Sequence, residues 1–258
     1  MITIAITVII ITGGLLIKMT NKNYHVTSKL EKKTITYKSK DDVKITADLY
    51  TIGNDNAPFI ILFHQAEYSR GEYLSIAPKL NALGYNCMAI DQRSGLTFNG
   101  VSNQTYIEAA KLNKDATFTS AYPDMQASLE YVKKNYTPKK LIIWGSSYSA
   151  SLCLILFNEY NHDINGILAF SPGEYFTYEG KSISQYAKNI TCPIFITSSK
   201  YEATSWEEIS KAIPAKTKAA TFFVPEGIGV HGSSALHDLN GNHQEYWDAV
   251  KQFLTDNF

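Results

Sequence analysis

The chain has no surplus of charge: 24 Lys and Arg stand against 24 Asp and Glu in 258 residues. With a net charge of zero and no basic run, nothing draws in a nucleic acid or an acidic membrane surface, so nucleic-acid binding is excluded. No internal repeat and no low-complexity stretch are present, which excludes a solenoid or a disordered tract as the main architecture. Cysteine is scarce. The three residues, Cys87, Cys153 and Cys192, lie far apart with no C-x-x-C pair, so neither a disulfide framework nor a zinc knuckle is expected. Cys87 and Cys153 sit in apolar runs, where a thiol behaves as a small buried hydrophobe. His231, His237 and His243 lack the i, i+4 spacing of a helical zinc pair, and no metal or cofactor is expected.

What is present is an ordinary globular composition, 45% hydrophobic, at a length that an α/β sheet fills as one domain. The N-terminus differs from the rest. Met1 to Ile17 has no charged side chain, slightly short of the roughly 20 residues of a comfortable membrane span and longer than a usual signal core. Residues 1–25 are read as an export signal or uncleaved anchor ahead of a catalytic domain over 26–258. The competing reading is a buried first strand, because Ile and Val are β-formers. Export or a membrane tether is therefore expected, with a cytoplasmic location as the alternative. Lys18, Lys22 and Lys29 to Lys33 follow as a polar stalk, and positive charge after the apolar stretch favours a cytoplasmic C-terminus.

Lys33 to Lys38 and Val43 to Tyr50 alternate like a hairpin, with Asp41-Asp42 at the turn. Phe59 to Phe63 is an unbroken apolar run, the mark of a strand covered on both faces. A helix over Ser75–Leu83 stops at Gly84, and Tyr85–Ile90 reads as the next strand. The alternation continues with a helix at Asp124–Tyr136, a strand at Leu141–Trp144, a helix at Ser147–Tyr160 and a strand at Ile164–Phe170. Strands at Pro193–Thr197 and Ala220–Val224 and helices at Trp206–Ile213 and His243–Leu254 complete it. The expected fold class is α/β, a doubly wound, mostly parallel sheet. Gly95 to Tyr122 has no clear period and reads as a loop or small lid.

Leu141-Ile142-Ile143-Trp144-Gly145-Ser146-Ser147-Tyr148-Ser149-Ala150 runs from an apolar strand through a tight turn of small residues into an amphipathic helix. It resembles the G-x-S-x-G nucleophile elbow of the α/β-hydrolase family, with Ser149 in place of the last Gly. Bulk two residues either side of such a nucleophile would collide with neighbouring backbone. Gly145 and Ser149 flank Ser147 at that distance, whereas Trp144 and Tyr148 flank Ser146, so Ser147 is the candidate nucleophile.

The resemblance runs from about residue 33 to the C-terminus and includes Asp91-Gln92-Arg93-Ser94-Gly95, similar to the family's D-x-R-x-G stretch. It is closest to the dienelactone-hydrolase-like and small-carboxylesterase branches, with little or no cap domain. Dienelactone hydrolases carry Cys at the elbow, so their substrate is not expected here. The family's order of Ser, acid and His implies His231 as general base, in the loop Glu226 to Gly232, and Glu202 as the acid, with Glu174 as its rival. The implied oxyanion donors are the N–H groups of Tyr148 and of Ala66, in the segment Phe63-His64-Gln65-Ala66. His64 is read as a structural hydrogen-bonding residue.

The implied reaction is hydrolysis of a small-molecule ester through an acyl-enzyme. The rivals are a prolyl-oligopeptidase-like peptidase acting on short peptides and a catalytically inactive, membrane-tethered binding protein. Removing residues 1–25 is expected to leave a soluble, active protein, checked by expression in detergent-free buffer and an ester assay. Failure of the truncated chain to fold would place that segment in the core.

Overall fold

The described structure begins with a hairpin, as the alternating N-terminal segments predict. A computed structural model describes residues 31–217 and 219–258; the segment read as a signal or anchor lies outside the described residues. β1 (Glu31–Lys38) and β2 (Lys44–Thr51) pair antiparallel across a turn where Asp42 takes φ 68°. β3 (Phe59–Phe63), α1 (Ala77–Ala82) and β4 (Asn86–Ile90) follow. Gly95 to Tyr122 is not a bare loop. It holds a short hairpin of β5 (Thr97–Phe98) and β6 (Val101–Ser102), then the helix α2 (Gln104–Lys111). Asn103 starts that helix by accepting a hydrogen bond from Tyr106 N at 2.8 Å. Then come α3 (Tyr122–Asn135), β7 (Leu141–Ser146), α4 (Tyr148–Glu159) and β8 (Gly166–Phe170). α5 (Ile183–Ala187), β9 (Ile194–Thr197), α6 (Glu207–Ala212), β10 (Ala220–Phe223) and α7 (His243–Asn257) close the chain.

Eight strands form one sheet in the order β1-β2-β4-β3-β7-β8-β9-β10. β1, β2 and β4 pair antiparallel, and every pair from β4 to β10 is parallel. Both faces are covered, which is why the central strands are buried at every position. Phe59, Ile61 and Phe63 face a core shared with Met125, Leu129 and Leu152, whereas Ile60 and Leu62 face Leu80, Trp247 and Phe253. The winding reverses between β3 and β7, and in such sheets ligands bind beyond the strand C-termini at that reversal. α4 departs from the amphipathic pattern expected of it: Tyr148 through Phe157 are all buried. Its polar side chains find partners inside, with Ser149 Oγ donating to His64 O at 2.6 Å and Ser151 Oγ to Gly173 O at 2.7 Å. Among the described residues no helix is long and apolar enough to cross a membrane.

Arg93, in the loop after β4, ties the sheet's antiparallel end to its helices. Its guanidinium bonds Asp124 on α3 at 2.7 Å and Asp41 in the β1–β2 turn at 2.7 and 2.8 Å. The Arg93 hydrogen bonds hold the Asp41 carboxyl well below the usual carboxylate range. Asp124 is fully buried and Arg93 nearly so. Breaking a buried pair strands the remaining charge, so Asp124→Ala is expected to destabilise by about 3–5 kcal/mol. Urea unfolding checks this; a loss under about 0.5 kcal/mol would be surface-like and show that Asp41 alone satisfies Arg93.

Candidate active site

The strand registers bring five loops to one edge. Phe63 pairs with Gly145, Ser146 with Phe170, Phe170 with Thr197, and Thr197 with Phe223. The segments that follow these strands carry Ala66, Ser147, Ser171, Glu202 and His231. Ser147 sits at the turn from β7 into α4 with φ 59° and ψ −127°, a backbone region that L residues occupy only under constraint. Gly145 makes the turn feasible, because a Cβ there would lie 2.4 Å from Ser149 O and 2.5 Å from Ala150 N. The Ser147 amide donates to Phe170 O at 2.7 Å.

The three serines of the elbow part ways. Ser146 is fully buried, donating to Glu72 Oε1 at 2.8 Å and accepting from Ser233 N at 2.8 Å. Ser149 is buried inside α4. Ser147 retains partial exposure at the strand edge, 9%. Beside it lies the Tyr175 hydroxyl, which donates to Ser171 O at 2.8 Å.

His231 and Glu202 are in direct contact. His231 Nδ1 lies 2.5 Å from Glu202 Oε1. The other carboxylate oxygen accepts from Ser171 Oγ at 3.1 Å and from Ser199 N at 3.3 Å. Partial burial would raise the Glu202 pKa, but the His231 contact, helped by Ser199 and Ser171, brings it down to about 2. The histidine loop bends through Gly229 at φ 70° and Gly232 at φ 66°. A Cβ on Gly232 would meet Gln65 Oε1 at 2.4 Å and Ser146 Oγ at 2.5 Å, so this loop packs against both the elbow and the loop after β3. Among the described residues no hydrogen bond joins Ser147 Oγ to His231; such bonds are often open without substrate. With Nδ1 engaged by Glu202, Nε2 is the ring nitrogen left for a reacting group.

Glu174 lies elsewhere. Its carboxylate accepts from Ile183 N at 2.7 Å and Ser184 N at 2.8 Å, at the start of α5. The Tyr148 amide opens α4, where a helix leaves its N–H groups unpaired, and the Ala66 amide has no partner among the described residues. Gln65, beside Ala66, is held by its N–H to Glu72 Oε2 at 2.9 Å. His64 is buried and structural: Nδ1 donates to Gln65 O at 2.7 Å and Nε2 accepts from Gln92 N at 2.9 Å. Burial pushes its pKa down to about 4. Among the described residues no three His, Cys, Asp or Glu side chains converge as a metal site requires.

Sequence reasoning missed Ser171 and Glu72. Ser171 had a signal: it directly follows β8, at the edge where a doubly wound sheet builds its sites. Glu72 had none, because Ser69-Arg70-Gly71-Glu72-Tyr73 reads as polar loop although Glu72 is wholly buried.

No family model matches this sequence, and no curated protein matches it. Solved structures match it in fold. An esterase of Pyrococcus furiosus, Pf2001, superposes with a TM-score of 0.68 at 20% identity, over 88% of this chain and 93% of its own. The dienelactone hydrolase of Anabaena variabilis gives 0.67 at 12% identity, over 89% of this chain and 99% of its own. Est1E of Butyrivibrio proteoclasticus, with ferulic acid bound, gives 0.65 at 14% identity, over 86% of this chain and 98% of its own. At these identities the likeness is one of fold. The described residues have the α/β-hydrolase fold, with no large cap among them.

The two carboxylates separate by kinetics. Glu202→Gln keeps the shape but removes the charge beside the imidazole and is expected to lower kcat about 10⁴-fold. Glu174→Gln is expected to cost under about tenfold, being confined to α5. Side-by-side turnover of a p-nitrophenyl ester checks the pair, and the reverse ranking would move the acid to Glu174.

Proposed function

We propose that this protein is a serine hydrolase that cleaves small carboxylic esters, with Ser147 as nucleophile, His231 as general base and Glu202 as its acid partner. The observation that carries the reading is the Glu202–His231 hydrogen bond at 2.5 Å, on a loop bonded to Ser146, the residue before a serine in strained backbone geometry. That is the logic of a triad: a nucleophile, a base beside it, and a third group orienting the base.

In this reading Ser147 Oγ attacks the ester carbonyl while His231 Nε2 takes its proton. The imidazolium forms against Glu202, which stays ionised above acidic pH because its pKa is brought down to about 2. The N–H groups of Tyr148 and Ala66 receive the developing oxyanion, and one such donor is worth about 10²–10³ in kcat. His231 then protonates the leaving alcohol, an acyl-Ser147 intermediate forms, and water activated by the same imidazole releases the acid.

The substrate class follows from what surrounds the serine. The segment Gly95 to Tyr122 builds only a two-strand hairpin and one short helix, too little to enclose a long chain or to sieve peptides. Phe118 stacks on Tyr148 at 4.7 Å between ring centroids and lies 6.4 Å from Phe176. These rings supply an apolar wall for a small acyl or alkoxy group, in keeping with the esterases among the fold neighbours.

A fluorophosphonate probe is expected to label Ser147, identified by peptide mapping. Ser147→Ala is expected to remove the label and lower kcat by about 10⁴- to 10⁶-fold, whereas Ser146→Ala retains the label. Turnover of aminoacyl-nitroanilides in preference to esters would transfer the site to peptide chemistry.

A further inference from the structure

We propose that Glu72 is a positioning residue for this reaction: its buried carboxylate sets the oxyanion loop and the histidine loop against the nucleophile elbow. The inference rests on the serine-hydrolase reading of Ser147.

Glu72 lies in a single 3-10 turn, Arg70–Tyr73, and is fully buried. Its carboxylate touches two of the three segments that have to agree and reaches the third through the Ser146 hydroxyl. Oε2 accepts from Gln65 N at 2.9 Å, next to the Ala66 donor. Oε1 accepts from the hydroxyl of Ser146 at 2.8 Å, the residue before the nucleophile. The Ser146 hydroxyl accepts in turn from Ser233 N at 2.8 Å, two residues beyond His231. The Glu72 backbone is fixed as well, because His237 Nε2 donates to its carbonyl at 2.8 Å.

A carboxylate suits this post because it only accepts, with about four lone-pair sites for converging donors. A glutamine would turn an N–H₂ toward one of those donors. Among the described residues no Lys or Arg pairs with Glu72; its ionisable neighbours are His231 and His237 from the loop after β10, Tyr68 and Tyr73 from its own segment, and Tyr148 from α4. Burial, opposed by the Gln65 and Ser146 hydrogen bonds and the His231 charge, pushes the Glu72 carboxyl up to about 7. An acid with a raised folded pKa contributes fully below its unfolded value. It loses that contribution as pH climbs through the folded value. A lone buried acid therefore destabilises the fold at neutral pH, and a residue kept on such terms points to function.

The test measures kcat, KM, Tm and fluorophosphonate labelling rate for wild type, Glu72→Gln and Ser146→Ala. Glu72→Gln is expected to lower kcat and the labelling rate by about 10- to 100-fold, as a misplaced oxyanion loop would. KM should be little changed, since the loss falls on the transition state. Its Tm should rise relative to wild type as pH goes from about 5 to 8. Ser146→Ala, which cuts the Ser146 bond to Glu72 and the link to Ser233 but leaves the Gln65 bond, should show a smaller loss of the same kind. Wild-type kcat in Glu72→Gln overturns the proposal. So does a fall in Tm at pH 8 that parallels the fall in kcat, because packing alone would then explain both. If Glu72→Gln does not fold, Ser146→Ala decides, and wild-type kcat there overturns it. Wild type labelled at Ser147 with Glu72→Gln labelled equally fast sinks this inference alone, whereas an unlabelled wild type sinks the serine reading with it.

Discussion

The turn between β7 and α4 is the constraint on which the rest of the site depends. A parallel sheet has to send the chain from a buried strand into a buried helix within a residue or two. Here that is done by holding Ser147 at φ 59°. Such a conformation costs on the order of 1–3 kcal/mol and persists only where the surroundings over-determine it. They do so here. Gly145 lets the first turn of α4 close to contact distance, the Ser147 amide is bonded to β8, and the helix that follows is buried almost throughout. The strain presents the Ser147 side chain at the sheet edge while leaving the Tyr148 amide at an unpaired helix start.

Around that fixed point, two carboxylates meet opposite environments. Glu202 is half-buried beside an imidazole and two further hydrogen-bonding partners, and its pKa falls to about 2. Glu72 is wholly buried with neutral donors only, and its pKa climbs to about 7. Burial opposes ionisation in both, so the difference lies in the nearby positive partner and its distance. Glu202 contacts the His231 ring directly, whereas Glu72 reaches the histidine loop through the Ser146 hydroxyl and Ser233 N. One acid holds the ring, and the other holds the loops.

The strands were legible because burial on both faces leaves a mark that local sequence carries: Phe59 to Phe63 and Leu141 to Trp144 are unbroken apolar runs. The placement of Ser147, Glu202 and His231 just beyond those strands was legible from chain order, but that Glu202 rather than Glu174 contacts the imidazole emerged only from geometry. What escaped were features whose cause is tertiary. α2 buries only Thr105 and Ala109, so it leaves no apolar stripe. α5 has five residues, too few for a period to register. α4 reads as amphipathic because it contains serines, yet those serines are satisfied by backbone carbonyls inside the fold. Glu72 looks like loop surface for the same reason: its carboxylate's partners come from Gln65 and Ser146, on other elements.

The acid at position 202 is a glutamate, and the local backbone gives a reason. It lies inside the 3-10 turn Lys200–Trp206, whose start it also caps: Ser199 N donates to its Oε2 at 3.3 Å. The side chain must therefore fold back toward the turn's own beginning and still present Oε1 to the imidazole. Ser171 binds the same Oε2 while accepting from Gly232 N at 2.9 Å, so one hydroxyl ties the acid to the residue after the base. Trp206 closes the turn from the other end by donating to Ser198 Oγ at 2.9 Å. An aspartate, one methylene shorter, would have to abandon either the turn's cap or the histidine. With glutamate, the same carboxylate orients the His231 ring and holds in shape the loop from which it reaches.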